Sequence, residues 1–234
     1  MSSRKQTMFR AMLPNGGGAP LPPQGVTLDI FTSGTDIGDT TSDQNNTTSP
    51  YNAFFDYSAC FVLIRASELN SLVSGGKTLT GIEIENGING TNPMYDFRID
   101  IAHTTEDFLL SGAPMETHFD SQSSQFTFSG KQTCFDATYF PTANAWNSVS
   151  FSNNFIYDGT SNIVMLMTNR SGQWVISNRA RFKYGTRSGT SFRAALYQDD
   201  WTTGGPFTSA NSQPMITTDS TTAGQHFPNL KIKY

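Results

Sequence analysis

The stretch A-W-N-S-V-S-F-S-N-N-F-I-Y-D-G-T-S-N-I-V-M-L-M, Ala145 to Met167, decides the fold class. Val149, Phe151, Phe155 and Tyr157 occupy odd positions, and Ser148, Ser150, Ser152 and Asn154 lie between them. A period of two places the apolar groups on one face of a pleated strand and the polar groups on the other. Asp158-Gly159 follows, a dipeptide that tolerates φ > 0 and marks a tight turn. Ile163 to Met167 is continuously apolar, as expected of a strand buried on both faces. Two strands and their turn therefore predict the centre of a β-sandwich.

Upstream, the same alternation recurs. It predicts strands over Val26–Phe31, Cys60–Ile64, Lys77–Asn86 (with a bulge at Gly81), Asp96–His103 and Gln125–Gly130. In Asp96–His103, apolar Phe97, Ile99 and Ile101 alternate with Arg98 and Asp100, so one face should meet water. Between these strands Ser67 should cap one short helix carrying Leu69, Leu72 and Val73, stopped by Gly75-Gly76. Lys131–Asn144 reads as a crossing segment around Cys134, Phe135, Tyr139 and Phe140. Downstream, Gln173–Ile176, Ala180–Tyr184 and Ser191–Tyr197 read as short strands. Thr202–Thr222 reads as a long polar connection, and a last strand runs to Tyr234. About ten strands fit an all-β, two-sheet jelly-roll-like sandwich.

The chain has 234 residues, enough for one large β domain. Only 15% of residues are charged and 12% are aromatic, which suits a packed β fold and excludes a disordered chain. No stretch approaches the ~18 continuous apolar residues that a membrane span needs, so no membrane partner is expected. Cys60 and Cys134 form neither a CxxC nor a Cys/His metal spacing. They read as small buried apolar groups, and spacing leaves open whether they pair.

Charge divides the chain. The first 28 residues hold Arg4, Lys5 and Arg10 and no acid; subtracting that +3 from the overall −4 leaves −7 on Asp29–Tyr234. Residues 1–25 thus form a basic segment followed by a Gly/Pro linker, P-N-G-G-G-A-P-L-P-P-Q-G, and residues 26–234 form the sandwich domain. The segment reads either as a disordered terminus or as a docking arm that orders on a partner. Met8, Phe9, Met12 and Leu13 favour the arm, because they give it something to bury. Arg10 and Pro14 break any apolar leader core, so no Sec-type signal is expected.

Four segments together carry a resemblance: A-S-E-L-N-S-L-V-S-G-G-K-T-L-T-G-I-E-I (66–84), D-F-R-I-D-I-A-H-T-T-E-D-F (96–108), W-N-S-V-S-F-S-N-N-F-I-Y-D-G-T-S-N-I-V-M (146–165) and F-P-N-L-K-I (227–232). Over residues 50–234 the chain resembles the jelly-roll-like β-sandwich modules of Bacteroidetes surface proteins and tailed-phage virion proteins. The resemblance implies a binding or scaffolding module without catalytic residues. Secreted members of that group carry a leader and a sorting tail, and neither is read here, so the expectation shifts to a virion component assembled in the host cytoplasm.

Few residues suggest chemistry. Asp36, Asp39 and Asp43 lack the EF-hand spacing. His103, His118 and His226 lie in separate segments, and no G-x-S-x-G elbow is present. Glu83 and Glu85 share one strand rather than facing across a cleft. Gly16–Gly18 lacks the Lys-Ser/Thr of a phosphate loop. No metal, cofactor or catalytic residue is therefore assigned. Two surfaces remain. Arg179, Arg181, Lys183 and Arg187 alternate as a basic stripe that reads as a solvated face or as a contact with an acidic neighbouring subunit. Trp174, Tyr197 and Trp201 read as packing residues or as an aromatic platform for sugar rings. The negative body argues against nucleic acid.

The sequence thus leads to a non-enzymatic virion structural protein, a head decoration or a tail or fibre component. It would form a homo-oligomer and dock to other virion proteins through Arg4, Lys5, Phe9 and Arg10, with Arg179, Arg181 and Lys183 as a further contact. The alternative is a carbohydrate-binding adhesion module that recognises host surface glycans through Trp174, Tyr197 and Trp201.

Overall fold

In the computed structural model, the described residues are 27–31, 35–36, 57–69, 76–87, 90–107, 119–120, 125–126, 130–172, 183–187, 194–199, 213–215 and 225–234. They contain fifteen strands: β1 Thr27–Phe31, β2 Thr35–Asp36, β3 Tyr57–Ile64, β4 Lys77–Glu85, β5 Met94–Thr104, β6 Phe119–Asp120, β7 Gln125–Phe126, β8 Gln132–Tyr139, β9 Trp146–Tyr157, β10 Asn162–Asn169, β11 Lys183–Arg187, β12 Ala194–Asp199, β13 Gln213–Met215, β14 Gln225–Pro228 and β15 Leu230–Lys233. Two antiparallel sheets dominate, ordered β1-β15-β4-β9 and β13-β12-β3-β10-β5-β8. A three-stranded sheet β14-β11-β2 and the pair β6-β7 complete the set. The chain is an all-β sandwich.

One core lies between the two large sheets. Leu79, Ile82 and Ile84 of β4, Val149, Phe151, Phe155 and Tyr157 of β9, and Leu230 and Ile232 of β15 come from the first sheet. Cys60, Val62 and Ile64 of β3, Phe97, Ile99 and Ile101 of β5, and Ile163, Met165 and Met167 of β10 come from the second. The alternation expected over Val149–Tyr157 holds: these four side chains are buried, and Ser148, Ser150, Ser152 and Asn154 are exposed. On β10, Val164 is half-buried and the other four residues of the apolar run are buried.

The connection between β9 and β10 corrects the simplest reading of a tight turn. These strands do not pair with each other: β9 pairs with β4, while β10 lies between β3 and β5. The turn carries the chain from one sheet into the other. A two-residue hairpin of type I′ needs φ > 0 at both central residues. Here only Gly159 has it, at 81°. Asp158 instead accepts hydrogen bonds from Thr160 N–H and Ser161 N–H, both at 2.8 Å. Such a side-chain turn releases the chain from the first sheet.

Other elements shift too. The described part of the expected helix is a 3-10 turn, Ala66–Leu69, that starts before Ser67. Its cap is Glu68, whose carboxylate accepts from Arg65 N–H at 2.9 Å, and Asn162 Oδ1 accepts from Ala66 N–H at 2.8 Å. Leu69 is buried; Leu72 and Val73 lie outside the described residues. Residues 132–139, expected to be a crossing segment, form β8 at the edge of the six-stranded sheet. Of the strands expected over 180–184 and 191–197, the described parts are Lys183–Arg187 and Ala194–Asp199, and the long polar connection contains β13. The strand expected over 125–130 is described as Gln125–Phe126. The bulge at Gly81 is present: the β4–β9 register jumps between Leu79 and Gly81.

That jump shapes one side of the sandwich. Leu79 pairs with Phe155 and Gly81 with Ser150, so Phe151–Asn154 bulge out of the ladder. The bulge reaches β8. Ser152 Oγ donates to the Cys134 carbonyl at 3.1 Å, Asn153 Nδ2 to the Thr133 carbonyl at 3.2 Å, and Gln132 Nε2 to the Asn154 carbonyl at 2.8 Å. Side-chain bonds thus occupy carbonyls along an edge strand that could otherwise template pairing.

Candidate functional site

The outer face of β5 was expected to meet water, but Asp100 there is only 2% exposed. The reason is a chain of charges of alternating sign built from β5, β8 and the segments beside them. Asp96, Arg98 and Asp100 project from one face of β5, and Asp136 stands directly opposite Arg98 on β8. Arg170 follows β10, and Lys131 precedes β8. Arg170 Nη2 lies 2.8 Å from Asp96 Oδ1 and 3.2 Å from Asp136 Oδ1. Arg98 lies 3.9 Å from Asp136 and, through Nε, 3.0 Å from Asp100 Oδ1. Lys131 Nζ closes the chain 3.6 Å from Asp100 Oδ2. Thr133 Oγ1 donates to Asp100 at 2.6 Å and accepts from Arg98 Nη2 at 2.5 Å. Burial lowers the Lys131 pKa from its ordinary value, against the pull of Asp100. The three acids and three bases sum to zero charge. The alternating signs of D-F-R-I-D at 96–100 were the signal that this face pairs with itself.

Beside this chain, two large apolar side chains face solvent: Tyr95 is 55% exposed and Phe140 is 70% exposed. Met94 and Tyr139 form the last cross-strand pair at that end of the β5–β8 ladder, and both are buried. Tyr95, in the β5 bulge, and Phe140, just past the end of β8, are their immediate neighbours in sequence. Thr138 Oγ1 donates to the Tyr95 carbonyl at 3.2 Å and ties the two strands there. Tyr95 had no mark in the sequence, because a lone exposed aromatic has no periodicity, and Phe140 was read only as part of the crossing segment 131–144.

At the opposite end, His103 lies tilted against Phe155 and stacks on Tyr157, with ring centroids 4.7 and 5.9 Å away. Its Nε2 accepts the Asp158 N–H at 3.1 Å and lies 3.8 Å from the Asp158 carboxylate. Ser161 Oγ donates to Asp158 Oδ2 at 2.6 Å, and Tyr157 OH donates to the Ser161 carbonyl at 2.9 Å. Partial burial acts to raise the Asp158 pKa, but the bonds from Ser161 and Thr160, helped by His103, hold it well below the usual carboxylate range. Serine, histidine and aspartate thus meet, in an arrangement unsuited to nucleophilic catalysis. The hydroxyl donates to the carboxylate, and the imidazole nitrogen is occupied by a backbone donor.

Among the described residues, no group of three or more His, Cys, Asp or Glu is placed to hold a metal ion. No helix among them is long and apolar enough to cross a membrane. Cys60 and Cys134 are buried free thiols rather than a disulfide. Burial, reinforced by Asp100, pushes the Cys134 thiol up to about 12. Glu83 and Glu85 lie on the outer face of β4. Glu83 pairs with Lys233 at 3.2 Å, and Glu85 accepts from Asn229 Nδ2 at 2.7 Å.

Of the residues expected to dock partners, Lys183 opens β11, opposite Asp36 in the ladder. Arg4, Lys5, Phe9, Arg10, Arg179 and Arg181 lie outside the described residues. Of the expected sugar platform, Tyr197 sits on β12, its backbone between Ala59 of β3 and Pro214 of β13, while Trp174 and Trp201 lie outside the described residues. No protein-family model matches the chain, and no curated protein matches it.

Proposed function

We propose that the chain is a non-enzymatic virion structural protein of a tailed phage, a jelly-roll-like sandwich displayed on head or tail and docked through its N-terminal arm. One observation carries the reading. Within the described residues, the segments that resemble virion and surface modules supply packing and turns. Leu69, Ile82, Ile84, Phe97, Ile99, Ile101, Val149, Phe151, Phe155, Tyr157, Leu230 and Ile232 are core residues. Gly76 and Gly159 take positive φ, 67° and 81°. His103, Asp158, Ser161 and Asn162 tie the crossing between sheets. A likeness carried by such residues is a likeness of scaffold, and it favours display over turnover.

The arm is the proposed attachment point, through Arg4, Lys5, Phe9 and Arg10, with Arg179, Arg181 and Lys183 as a second contact. The basic arm complements a body that carries −7. Repetition around a symmetry axis lets each weak arm contact count many times. The test compares full-length protein with Val26–Tyr234 by light scattering and by incorporation into particles. Loss of assembly in the truncation supports arm docking, and full incorporation without the arm refutes it.

A second reading, a glycan-binding adhesion module, is favoured by the solvent-facing Tyr95 and Phe140 beside a rim of planar polar side chains. Trp174, Tyr197 and Trp201 remain the alternative platform for it. The two readings coexist in a receptor-binding tail component.

A further inference from the structure

We infer that Tyr95 and Phe140, with Asp96, Asp136 and Arg170 at their rim, form a binding site for a neutral glycan. The inference rests on the glycan reading above and places it at these residues rather than at Trp174, Tyr197 and Trp201. Tyr95 and Phe140 lie diagonally across the end of the β5–β8 ladder, on either side of the Met94–Tyr139 pair. Diagonal neighbours on one face of an antiparallel pair are about 7–8 Å apart, within reach of aromatic rings. Tyr95 and Phe140 are 55% and 70% exposed, at the end of a strand pair whose other face is core. The apolar C–H face of a sugar ring covers such a surface and recovers the free energy of exposing it.

The rim supplies the second half of the recognition. Asp96 and Asp136 have side chains 43% and 45% exposed, so their free lone pairs reach solvent. Arg170 Nη2 holds one oxygen of each, at 2.8 and 3.2 Å, and Arg170 N–H donates to the Asp96 carbonyl at 2.8 Å. The carboxylates are therefore ordered before any ligand arrives, and binding need not restrain them. Carboxylates so fixed accept hydrogen bonds from hydroxyls.

Charge selects the class of ligand. Among the described residues, the three acids and three bases from Asp96 to Lys131 sum to zero, so these ion pairs offer strong polar groups without a net charge of their own. A polyanion or a basic peptide would gain no steering from them. A neutral polyol needs none. Protein interfaces also deplete charged residues at their centres, whereas here charged side chains stand directly beside the aromatics.

The test uses the full chain on an array of immobilised oligosaccharides spanning neutral hexoses, N-acetylhexosamines, deoxyhexoses and uronic acids. Wild type should bind neutral members with little dependence on salt. The double variant Tyr95→Ala/Phe140→Ala should lose about tenfold or more in affinity, while Trp174→Ala/Trp201→Ala binds as wild type. Asp136→Asn should weaken binding less than loss of the rings. Thermal unfolding checks each variant, and truncating exposed rings should leave it unchanged. Binding lost only in the Trp174/Trp201 variant keeps the glycan reading but removes it from this site. Binding confined to uronic acids and abolished by salt overturns the neutral class. Wild type binding nothing overturns both the site and the reading. An oligomer dissolved by Tyr95→Ala/Phe140→Ala, without glycan binding, assigns the patch to a protein contact instead.

Discussion

Replacing Asp100 by alanine tests whether charge pairing seals the outer face of the six-stranded sheet. The carboxylate is buried with Arg98 Nε at 3.0 Å, Thr133 Oγ1 at 2.6 Å and Lys131 Nζ at 3.6 Å. At an effective dielectric of about 20, a unit pair at such separations attracts by roughly 5 kcal/mol. Desolvation of the three groups offsets most of that, so the intact cluster adds little net stability. The variant removes the attraction and leaves two cations desolvated beside Arg170. Breaking a buried pair from one side costs about 3–5 kcal/mol. The Arg98 and Lys131 side chains keep 18% and 17% of their exposure, which points to the lower end, about 3 kcal/mol. Equilibrium denaturation followed by tryptophan fluorescence reads it. Asp100→Asn keeps an acceptor for Thr133 and should fall between. The double change Arg98→Met/Asp100→Leu, with no unpaired charge left between them, should recover most of the loss.

The same variant carries a signature in pH. Burial lowers the Lys131 pKa below 10.5, Asp100 opposes the shift, and Arg98 and Arg170 add to it. A lysine with a lower pKa when folded binds more protons in the unfolded chain. Stability should therefore rise as pH climbs from the folded value towards 10.5. Without Asp100 that rise should begin at a lower pH. A loss below about 1 kcal/mol in Asp100→Ala, with no change in pH slope, would refute the account of this face as charge-sealed.

Three further outcomes follow from other parts of the fold. A Cβ on Gly81 would stand 2.4 Å from the Val149 carbonyl oxygen, so Gly81→Ala should cost about 1–3 kcal/mol in denaturation, and an unchanged midpoint would mean that the bulge yields freely. Asp158 is held ionised below the usual carboxylate range, so its contribution is present above the ordinary value of 3.8 and lost as pH falls towards the lower folded value. Asp158→Asn should flatten that acid limb, modestly because the group is part-exposed, and an acid limb of undiminished slope would remove Asp158 from it. Cys60 and Cys134 are buried thiols, and Cys134 stays protonated up to about 12. A thiol-specific disulfide reagent should therefore find none in the native protein and two in denaturant, and rapid native reaction would contradict their placement.

Which parts of this fold were legible follows from where period two survives. Along β9 the buried residues Val149, Phe151, Phe155 and Tyr157 keep one parity through a four-residue bulge, so the pattern reads cleanly. Along β8 it does not. Cys134 and Tyr139 both point into the core but have opposite parity, because the β5–β8 register slips between Ile99 and Asp100, where β8 carries Cys134 as an extra residue. A strand with such a slip resembles a connection when read by alternation alone. The partner of each strand was hidden for another reason. Asp158-Gly159 signals a reversal, and whether the chain pairs back or crosses to the facing sheet depends on the bonds that Asp158 makes with Thr160 and Ser161.

The candidate site was the least legible part, and the cause is the other slip, in β5. Tyr95 belongs to the step where β5 carries one residue more than β8, between the Met94–Tyr139 and Phe97–Ala137 pairs. That extra residue lets Tyr95 face solvent and still leaves Asp96 turned towards Arg170. The bulge therefore sets an aromatic ring beside an ordered carboxylate. Bulges re-aim side chains at sheet edges. The physical expectation is that a deletion restoring regular register in β5 would break the pairing of the ring with its rim, even where the sandwich still forms.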